Sequence, residues 1–422
     1  MNNLNDTKKI AMFSIHSDPL ALLGSQESGG QNIYVRHLIE KLEKLGWSID
    51  VFTRWDSHHK KQLTHLGKRS RVIRLKGGPV HYIPKKDLFS ILPEILNNFL
   101  IFIDFKNPYA LFHGHYWDGG WVALQAHLKF SIPLIENFHS LGMIRFDTKR
   151  RYFKNGNEQK IEEQRITLEK DIIKNASAII SLSEIEKNDL INLYGTPVEK
   201  IAVIPGGVDL KQFINTPRDK AREKLSFNKV DFILLYVGRL EWRKGIGTLI
   251  SAVKLLKNEV PNIKAVIVGG RIVGKQKNAE DFKEHQRLLK KTEEEGVKEL
   301  IQFVGRIDNG RLPLFYSAAD IFVIPSYYEP FGLVALEASA CKVPIIASRI
   351  GGLQNIIQDG ENGFLFEPRN PFNLKEKVLQ LQKSKELSKT FIESAYRNVA
   401  TNYSWGDIAA KINNIYKSIL KI

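Results

Sequence analysis

Two successive series of short apolar runs, each alternating with helical segments, are the feature that most constrains the fold of this 422-residue chain. The apolar runs have the length and composition of buried strands. We predict strands, in chain order, at "KKIAMFSIHS", "SIDVFTRW", "RVIRLK", "LFHGHY", "IPLIENFH", "ASAIISLS", "KIAVIPGGV", "DFILLYVGRL", "IKAVIVGG", "LIQFVGRI", "DIFVIPS" and "VPIIAS". Such alternation is typical of an α/β fold in which helices cover both faces of parallel sheets.

The two series predict two domains. A polar connector, "DLKQFINTPRDKAREKLSFNKV", separates them, and about 200 residues on each side is an ordinary domain size. We therefore predict two doubly wound domains, over residues 1–215 and 216–404. Ligands of open α/β sheets bind beyond the carboxyl ends of the strands, so a cleft between the domains is the predicted site.

The cysteine content and the apolar segments bear on location. The single cysteine, Cys341, excludes an internal disulfide framework and is typical of a reducing compartment. The start of the chain, "MNNLNDTKK", does not resemble a secretion signal, so we predict a cytoplasmic protein. Polar residues interrupt the most apolar segment, "LFSILPEILNNFLIFIDF", which argues against a spanning helix and leaves an interfacial one open.

The net charge of +16 has more than one interpretation. Nine Lys and Arg residues, and no acidic residue, lie between Lys60 and Lys86. Such a basic segment suits nucleic acid, anionic lipid or phosphorylated substrates. No nucleic-acid-binding motif accompanies it, so we predict no nucleic-acid partner. Peripheral contact with the inner membrane surface, or a solvated surface without a partner, remains open.

A glycine turn stands before the first helix, in "LLGSQESGGQNIYVRHLIEKLEKLG". The apolar residues keep helical spacing from Asn32 onward, and an apolar strand precedes the loop. Strand, glycine loop and helix together point backbone N–H groups at a bound anion. One such loop alone is equally compatible with a plain β–α connection.

The second half carries two charged motifs. In "YVGRLEWRKGIGTLI", Arg239 and Lys244 stand between a strand and a helix, where two cations can neutralise a diphosphate. In "PSYYEPFGLVALEASACKVPIIAS", Glu329 is predicted in the loop before a helix and Glu337 about two turns into it. Carboxylates at these places can accept hydrogen bonds from hydroxyl groups. Surface cations, a capping acid and a surface acid are the plainer alternatives for each motif alone.

Together these motifs resemble the retaining nucleotide-sugar glycosyltransferases of the GT-B type, glycosyltransferase family 4 or group 1. This group includes sucrose-phosphate synthases and inositol-phosphate glycosyltransferases. The resemblance covers almost the whole chain and also includes "HGHYWDGG", "FHSLG", "IPGGVDLKQF", "FVGRIDNGRLPLFYSAAD" and "GGLQNIIQDGENGFLF". It implies a GT-B fold, with two Rossmann-like domains facing across a cleft. It also implies that the C-terminal helix, residues 405–422, joins the first domain.

The resemblance further implies which residues bind the donor. Arg239 and Lys244 would hold the diphosphate and stabilise it as it leaves, Glu329 would hold the transferred sugar, and His139 would lie near that sugar. The remaining donor-binding residues implied by the family are Gly30 and Gln31 near the diphosphate, Val304 and Arg306 in a loop beside the base, the backbone of Phe331, Gly332 and Leu333, and Glu337 at the ribose.

Relatives that use phosphorylated acceptors hold the acceptor phosphate with a Lys, a Tyr, a small hydroxyl residue and an Arg. The matching residues here are Lys85, Tyr116, Ser140 and Arg165. Lys86 replaces the acidic residue that commonly follows the lysine, and Ser140 stands where some relatives have threonine or alanine.

We therefore predict an enzyme that transfers a hexosyl unit, with glucosyl preferred, from a nucleotide diphosphate sugar to a small phosphorylated acceptor. A transferase acting on a lipid-linked or cell-surface saccharide is the alternative. A nucleotide-binding or nucleic-acid-binding module without activity is a third reading, disfavoured because Arg239, Lys244, Glu329 and Glu337 are all present. No Asp-x-Asp motif or ligand cluster is evident, so we predict that no metal or other cofactor is required.

Overall fold

The computed structural model describes residues 8–21, 29–152, 156–270 and 280–422. Residues 22–28 of the predicted glycine loop lie outside this part of the chain. The chain divides into two compact units, one formed by Met1–Gly206 with Trp405–Ile422 and the other by Gly207–Ser404. The division comes slightly before residue 215, where we placed the boundary from the sequence.

The first unit is built on an eight-stranded sheet with the order β3-β4-β2-β1-β5-β6-β7-β8. The strands are β1 (Lys9–Phe13), β2 (Ser48–Arg54), β3 (Leu63–His65), β4 (Ser70–Leu75), β5 (Tyr109–His115), β6 (Leu134–Asn137), β7 (Ala178–Ser181) and β8 (Ile201–Val203). Neighbouring strands are parallel except for β3, which pairs antiparallel with β4 at the edge.

Seven helices belong to the described part of the first unit. They are α1 (Gly30–Lys44), α2 (Leu92–Leu100), α3 (Tyr116–Phe130), α4 (Gly142–Tyr152), α5 (Gly156–Asn175), α6 (Glu184–Tyr194) and the C-terminal helix, α15 (Trp405–Leu420). The central strand β1 is fully buried from Ile10 to Phe13. The ring of Phe13 packs against Phe52, Phe99 and Phe112, so aromatic side chains from two strands and α2 fill the core beneath it.

The second unit is built on a six-stranded, fully parallel sheet with the order β11-β10-β9-β12-β13-β14. The strands are β9 (Phe232–Val237), β10 (Ile263–Val268), β11 (Ile301–Gly305), β12 (Ile321–Ile324), β13 (Ile345–Ser348) and β14 (Phe364–Phe366). Its helices are α7 (Arg218–Leu225), α8 (Ile246–Leu256), α9 (Glu280–Glu294), α10 (Leu312–Ala318), α11 (Leu333–Ala340), α12 (Leu353–Ile356), α13 (Pro371–Lys383) and α14 (Lys385–Asn402).

The predicted strands are confirmed, and two short ones were missed. Strand β3, "LTH", is partly exposed, and β14, "FLF", has only three residues. Both are too short for apolar periodicity to reveal. The expectation of purely parallel sheets was wrong for β3 alone. Only four residues connect β3 to β4, and so short a connection can form a hairpin but not the crossover that parallel pairing requires.

The most apolar segment of the sequence, residues 88–105, contains α2. Its side chains Leu92, Ile95 and Phe99 are buried in the core, which accounts for its apolar character. Within the described ranges, the structure contains no helix long and apolar enough to cross a membrane.

Candidate active site

Among the parallel strands of each sheet the strand order reverses once, between β1 and β5 in the first unit and between β9 and β12 in the second. At such a reversal the loops after the two neighbouring strands diverge, which leaves a crevice at their carboxyl ends. In the first unit His16 and Tyr116 follow β1 and β5, and in the second Arg239 and Glu329 follow β9 and β12. The candidate residues therefore lie where α/β folds bind their ligands.

Polar side chains fix the glycine turn before α1. The Asn32 side chain accepts a hydrogen bond from the Gly29 amide at 2.8 Å and donates one to the Asp18 carbonyl at 2.7 Å. The half-buried Gln31 side chain donates to the Ser14 hydroxyl at 3.1 Å. Gly30 is exposed at the first position of the helix. The turn thus presents backbone N–H groups that helix geometry leaves without internal partners.

Two candidate residues have strained backbones. His139 and Tyr116 have φ angles of 55° and 69°, in the left-handed region that residues with side chains seldom adopt. Such strain persists only where the surrounding structure imposes it, and it is concentrated at functional sites. Tyr116 directly follows β5, and His139 comes two residues after the end of the neighbouring strand β6. The sequence did not reveal this strain, since neither position carries a glycine.

Two of the residues predicted to bind the acceptor, Lys85 and Arg165, lie against the ring of a third, Tyr116, and the fourth, Ser140, contacts Arg165 through its backbone carbonyl. The Lys85 ammonium is 5.2 Å and the Arg165 guanidinium 4.6 Å from the ring centroid. Arg165 Nη1 donates to the Tyr116 hydroxyl at 2.9 Å, and Nη2 donates to the Ser140 carbonyl. Arg165 is 3% exposed, so it connects Tyr116 and Ser140 from the buried side of the cluster.

Sequence reasoning missed three residues of this cluster. His16 Nδ1 lies 2.7 Å from a carboxylate oxygen of the buried Asp118, and its ring centroid is 4.8 Å from that of Tyr116. The fully buried Glu169 accepts from Arg165 Nε at 2.7 Å and from the Gly142 amide at 2.9 Å. The position of His16 near the end of the first predicted strand was the available signal.

In the second unit, both predicted diphosphate cations contact carboxylates. Arg239 Nη1 is 2.7 Å from Glu241, whose other oxygen is 2.6 Å from Arg243 Nε. Lys244 forms an ion pair with Glu329. Burial alone would raise the pKa of Glu329, but the positive charges of Lys244 and Arg243 hold it below its usual value. Burial lowers the pKa of Lys244, and Glu329 opposes that shift.

Gly245 allows these two loops to approach each other. Its φ is 65°, and a Cβ there would lie 1.8 Å from the Pro325 carbonyl oxygen. The Tyr327 amide donates to the Arg243 carbonyl at 2.6 Å across the same contact. Only glycine fits, and the close approach brings Lys244 to Glu329.

Glu337 lies about one turn into α11, and our prediction of two turns was wrong. Gly332 has a φ of 101°, so the helix begins only at Leu333. Phe331 and Gly332 precede it and are buried. The Tyr316 hydroxyl donates to Glu337 at 2.8 Å, and burial raises the pKa of this carboxyl group to about 7.

The remaining predicted donor residues, Val304 and Arg306, lie at the end of the edge strand β11. Val304 is within the strand, not in a loop as we expected, because the strand continues to Gly305. Arg306 follows the strand and is exposed. Among the described residues, no group of three or more His, Cys, Asp or Glu side chains could hold a metal ion.

Two family descriptions match the chain. Glycosyl transferases group 1 matches residues 217–398, and Glycosyltransferase Family 4 matches residues 28–212. The D-inositol 3-phosphate glycosyltransferase of Corynebacterium urealyticum is 31% identical over 417 residues, which cover 97% of this chain and 96% of that protein.

Solved structures agree with this assignment. Sucrose-phosphate synthase from Thermosynechococcus elongatus superposes with a TM-score of 0.90 at 34% identity, covering 98% of this chain and 99% of that one. Anabaena HepE in complex with UDP-glucose superposes with a TM-score of 0.74 at 20% identity, covering 97% and 99%. The second likeness concerns the fold alone. The predicted GT-B fold is confirmed.

Proposed function

The chain belongs to the group 1 glycosyltransferases of the GT-B fold, and from this premise we propose its reaction. It transfers a hexosyl unit, with glucosyl preferred, from a nucleotide diphosphate sugar to a small phosphorylated acceptor, with retention of the anomeric configuration. The first unit binds the acceptor and the second binds the donor.

Lys85 and Arg165 converge on the Tyr116 ring, and this observation is the main support for a phosphorylated acceptor. The two cations lie within about 5 Å of the centroid of one ring, so two groups that can donate hydrogen bonds to a phosphate stand beside the Tyr116 hydroxyl. Glu169 pairs with the buried Arg165 at 2.7 Å and holds its guanidinium in place. The half-buried Lys85 places an ammonium on the same ring, where it would contact an incoming phosphate. A phosphate monoester, with several acceptor oxygens, suits an ammonium and a hydroxyl at this spacing.

The relatives support the same substrate class. The names D-inositol 3-phosphate glycosyltransferase and sucrose-phosphate synthase each include a phosphorylated compound, and both proteins match over nearly the full length of this chain. The structure of HepE contains UDP-glucose, which is a nucleotide diphosphate sugar of the proposed kind.

On the donor side, Arg239 and Lys244 would neutralise the diphosphate as the bond to the sugar breaks. Preorganised cations aimed at developing negative charge lower the barrier most. Glu329, ionised because of Lys244 and Arg243, would accept hydrogen bonds from sugar hydroxyl groups. For retention, the acceptor hydroxyl attacks the face that the diphosphate leaves, and its proton passes to the departing oxygen. We assign no protein nucleophile.

A transfer assay tests this proposal. Radiolabelled nucleotide sugars would be incubated with hexose phosphates, inositol phosphates, their unphosphorylated counterparts and lipid-linked saccharides. We expect transfer to a phosphorylated acceptor and a product with the donor's anomeric configuration, read by NMR. Preferred transfer to unphosphorylated or lipid-linked saccharides would contradict the acceptor class. Donor binding without any transfer would favour a binding module.

Two neighbouring lysines provide a matched pair of variants. We expect Lys85→Ala to raise the KM for the phosphorylated acceptor about tenfold or more, the usual effect of losing one charge-assisted hydrogen bond. Lys86→Ala removes an exposed charge one residue away and should change this KM little. Equal effects of the two substitutions would indicate that general surface charge, not a specific phosphate contact, attracts the acceptor.

A further inference from the structure

His139 is joined to a second histidine, His115, through their rings. His139 Nε2 and His115 Nδ1 are 3.0 Å apart, and the ring centroids are 5.3 Å apart. The register of β5 and β6 pairs His115 with Asn137. Because His139 follows only two residues later with a left-handed backbone, its ring is directed towards His115. The contact is therefore built into adjacent strands.

Both rings are neutral at physiological pH. Burial lowers the pKa of His139 to about 3 and holds the pKa of His115 well below its usual value. The nearby histidine His113 lowers both pKa values further. Each neutral ring carries a single N–H proton, so one of the two facing nitrogens donates and the other accepts.

The environment of the second ring nitrogen of His115, Nε2, determines whether His115 or His139 donates the hydrogen bond. His115 is 0% exposed, and its Nε2 is buried without a hydrogen-bond partner among the described residues. If Nε2 carried the proton, a buried N–H group would lack any acceptor, which is the rarest kind of unsatisfied group in proteins. If Nδ1 carries the proton, it donates to His139 Nε2 and only a bare ring nitrogen remains buried.

We propose that His115 is a positioning residue that fixes His139 in the tautomer with its proton on Nδ1. His139 Nδ1 makes no hydrogen bond to any residue in the described ranges. Its N–H group therefore has no acceptor among the described residues, and the His139 side chain is only half-buried. The complementary ligand atom is an oxygen with a free lone pair, such as a sugar hydroxyl. His139 then acts as a hydrogen-bond donor and not as a general base.

The surroundings of His115 keep its ring in place. The His113 ring lies 4.2 Å away on one side, and His113 Nδ1 is 2.6 Å from the Tyr416 hydroxyl of α15. The Tyr34 ring packs in a T-shaped arrangement against His115, with a centroid distance of 6.2 Å. A ring held on these sides cannot turn over without opening the core.

Nitrogen NMR tests the tautomer directly and does not depend on the proposed transferase function. In protein labelled with ¹⁵N-histidine, the His139 ring signals would be assigned by their loss in His139→Gln. At neutral pH we expect Nδ1 to have the shift of a protonated nitrogen and Nε2 that of an unprotonated one. A protonated Nε2 in the wild-type protein would overturn the proposal.

Two substitutions test the role of His115. His115→Asn places an amide N–H near the position of Nδ1 and should preserve the His139 tautomer, whereas His115→Leu removes the donor and should shift the proton to Nε2. His285→Leu removes another buried histidine whose ring nitrogens lack partners and serves as the control, with His139 signals unchanged. Identical His139 tautomers in His115→Leu and wild type would contradict the proposal.

The kinetic test rests on the proposed function. We expect His115→Leu to lower kcat/KM about tenfold, the effect of one misdirected hydrogen bond, and His115→Asn to recover most of that loss. Equal losses in both variants, with wild-type melting temperatures, would overturn the positioning role. If no transfer activity is found in any variant, the proposed function fails while the NMR result still decides the tautomer.

Discussion

The ion pair between Lys244 and Glu329 is the contact in the second unit on which the proposed chemistry most depends. It brings a cation for the diphosphate and a carboxylate for the sugar to one place, with side chains only 14% and 12% exposed. In such surroundings each charge holds the other in its ionised form, and removing one leaves the other buried without compensation.

Replacing Lys244 should therefore affect the chemical step. An ammonium beside a departing diphosphate is most favourable as charge builds up on the leaving oxygen, so Lys244→Ala should reduce kcat by ~10²–10³. Lys244→Arg should recover only part, because a planar guanidinium differs from a point charge. Steady-state kinetics measure this, with circular dichroism to verify folding. Lys298→Ala, which removes an exposed ion pair in the same unit, is the control. An unchanged kcat with a raised donor KM would instead indicate a simple binding contact.

The raised pKa of Glu337 predicts a pH dependence of donor binding. Burial raises this pKa to about 7, so the group is largely protonated at pH 6 and ionised at pH 8. A carboxylate accepts hydrogen bonds from ribose hydroxyls more strongly than a neutral acid does. We therefore expect the donor KM to fall as the pH rises from about 6 to 8. In Glu337→Gln this slope should disappear, and an unchanged slope would place the titrating group elsewhere.

At the scale of elements, the loops after β9 and β12 fit together only because Gly245 lies between them. Two separate features require glycine at this position, its positive φ and its close contact with the Pro325 carbonyl. The first concerns the backbone alone, and the second concerns the fit between the two loops.

A pair of glycine substitutions separates these demands. Gly195 has a similar φ of 66° but nothing within 4 Å of an added Cβ, so Gly195→Ala should cost only the backbone strain, about 1 kcal/mol. Gly245→Ala adds a clash with backbone and should lower the free energy of unfolding by roughly 2 kcal/mol more. It should also lower kcat, because Lys244 moves with the loop. Urea denaturation and kinetics measure both effects. Equal destabilisation by the two substitutions would show that the loops can separate freely.

At the scale of the whole molecule, some of the many basic side chains form ion pairs within the protein. Within the segment Lys60–Lys86, Arg71 pairs with Asp50 at 2.6 Å, and Arg74 pairs with Asp18 at 2.8 Å. Lys60 pairs with Asp56 at 2.8 Å. The nine Lys and Arg residues of this segment therefore form a smaller positive surface in the folded protein than their number in the sequence indicates. Among them, Lys85 belongs to the candidate acceptor cluster.

We also expect the whole enzyme to work without a divalent metal. Arg239 and Lys244 would supply the positive charge that a metal ion supplies in other transferases. Activity should therefore persist in excess chelator. Complete loss of activity that magnesium or manganese restores would contradict this expectation and require a metal bound with the donor.

The sequence by itself determined the order of strands and helices, the fold class and the identity of most candidate residues. Apolar periodicity is a local property, and the charged motifs stand at strand ends that the periodicity already defines. The short strands β3 and β14 carried too little of this periodicity to be recognised.

The tertiary structure alone decided how these residues meet. Lys244 and Glu329 are 85 positions apart, and their pairing depends on a close approach of two loops that Gly245 permits. The start of α11, and with it the position of Glu337, depends on the backbone of Gly332. The hydrogen bond between His115 and His139 depends on strand register and on a left-handed backbone. Register, backbone strain and burial arise from packing between distant segments, and no local pattern of residues encodes them.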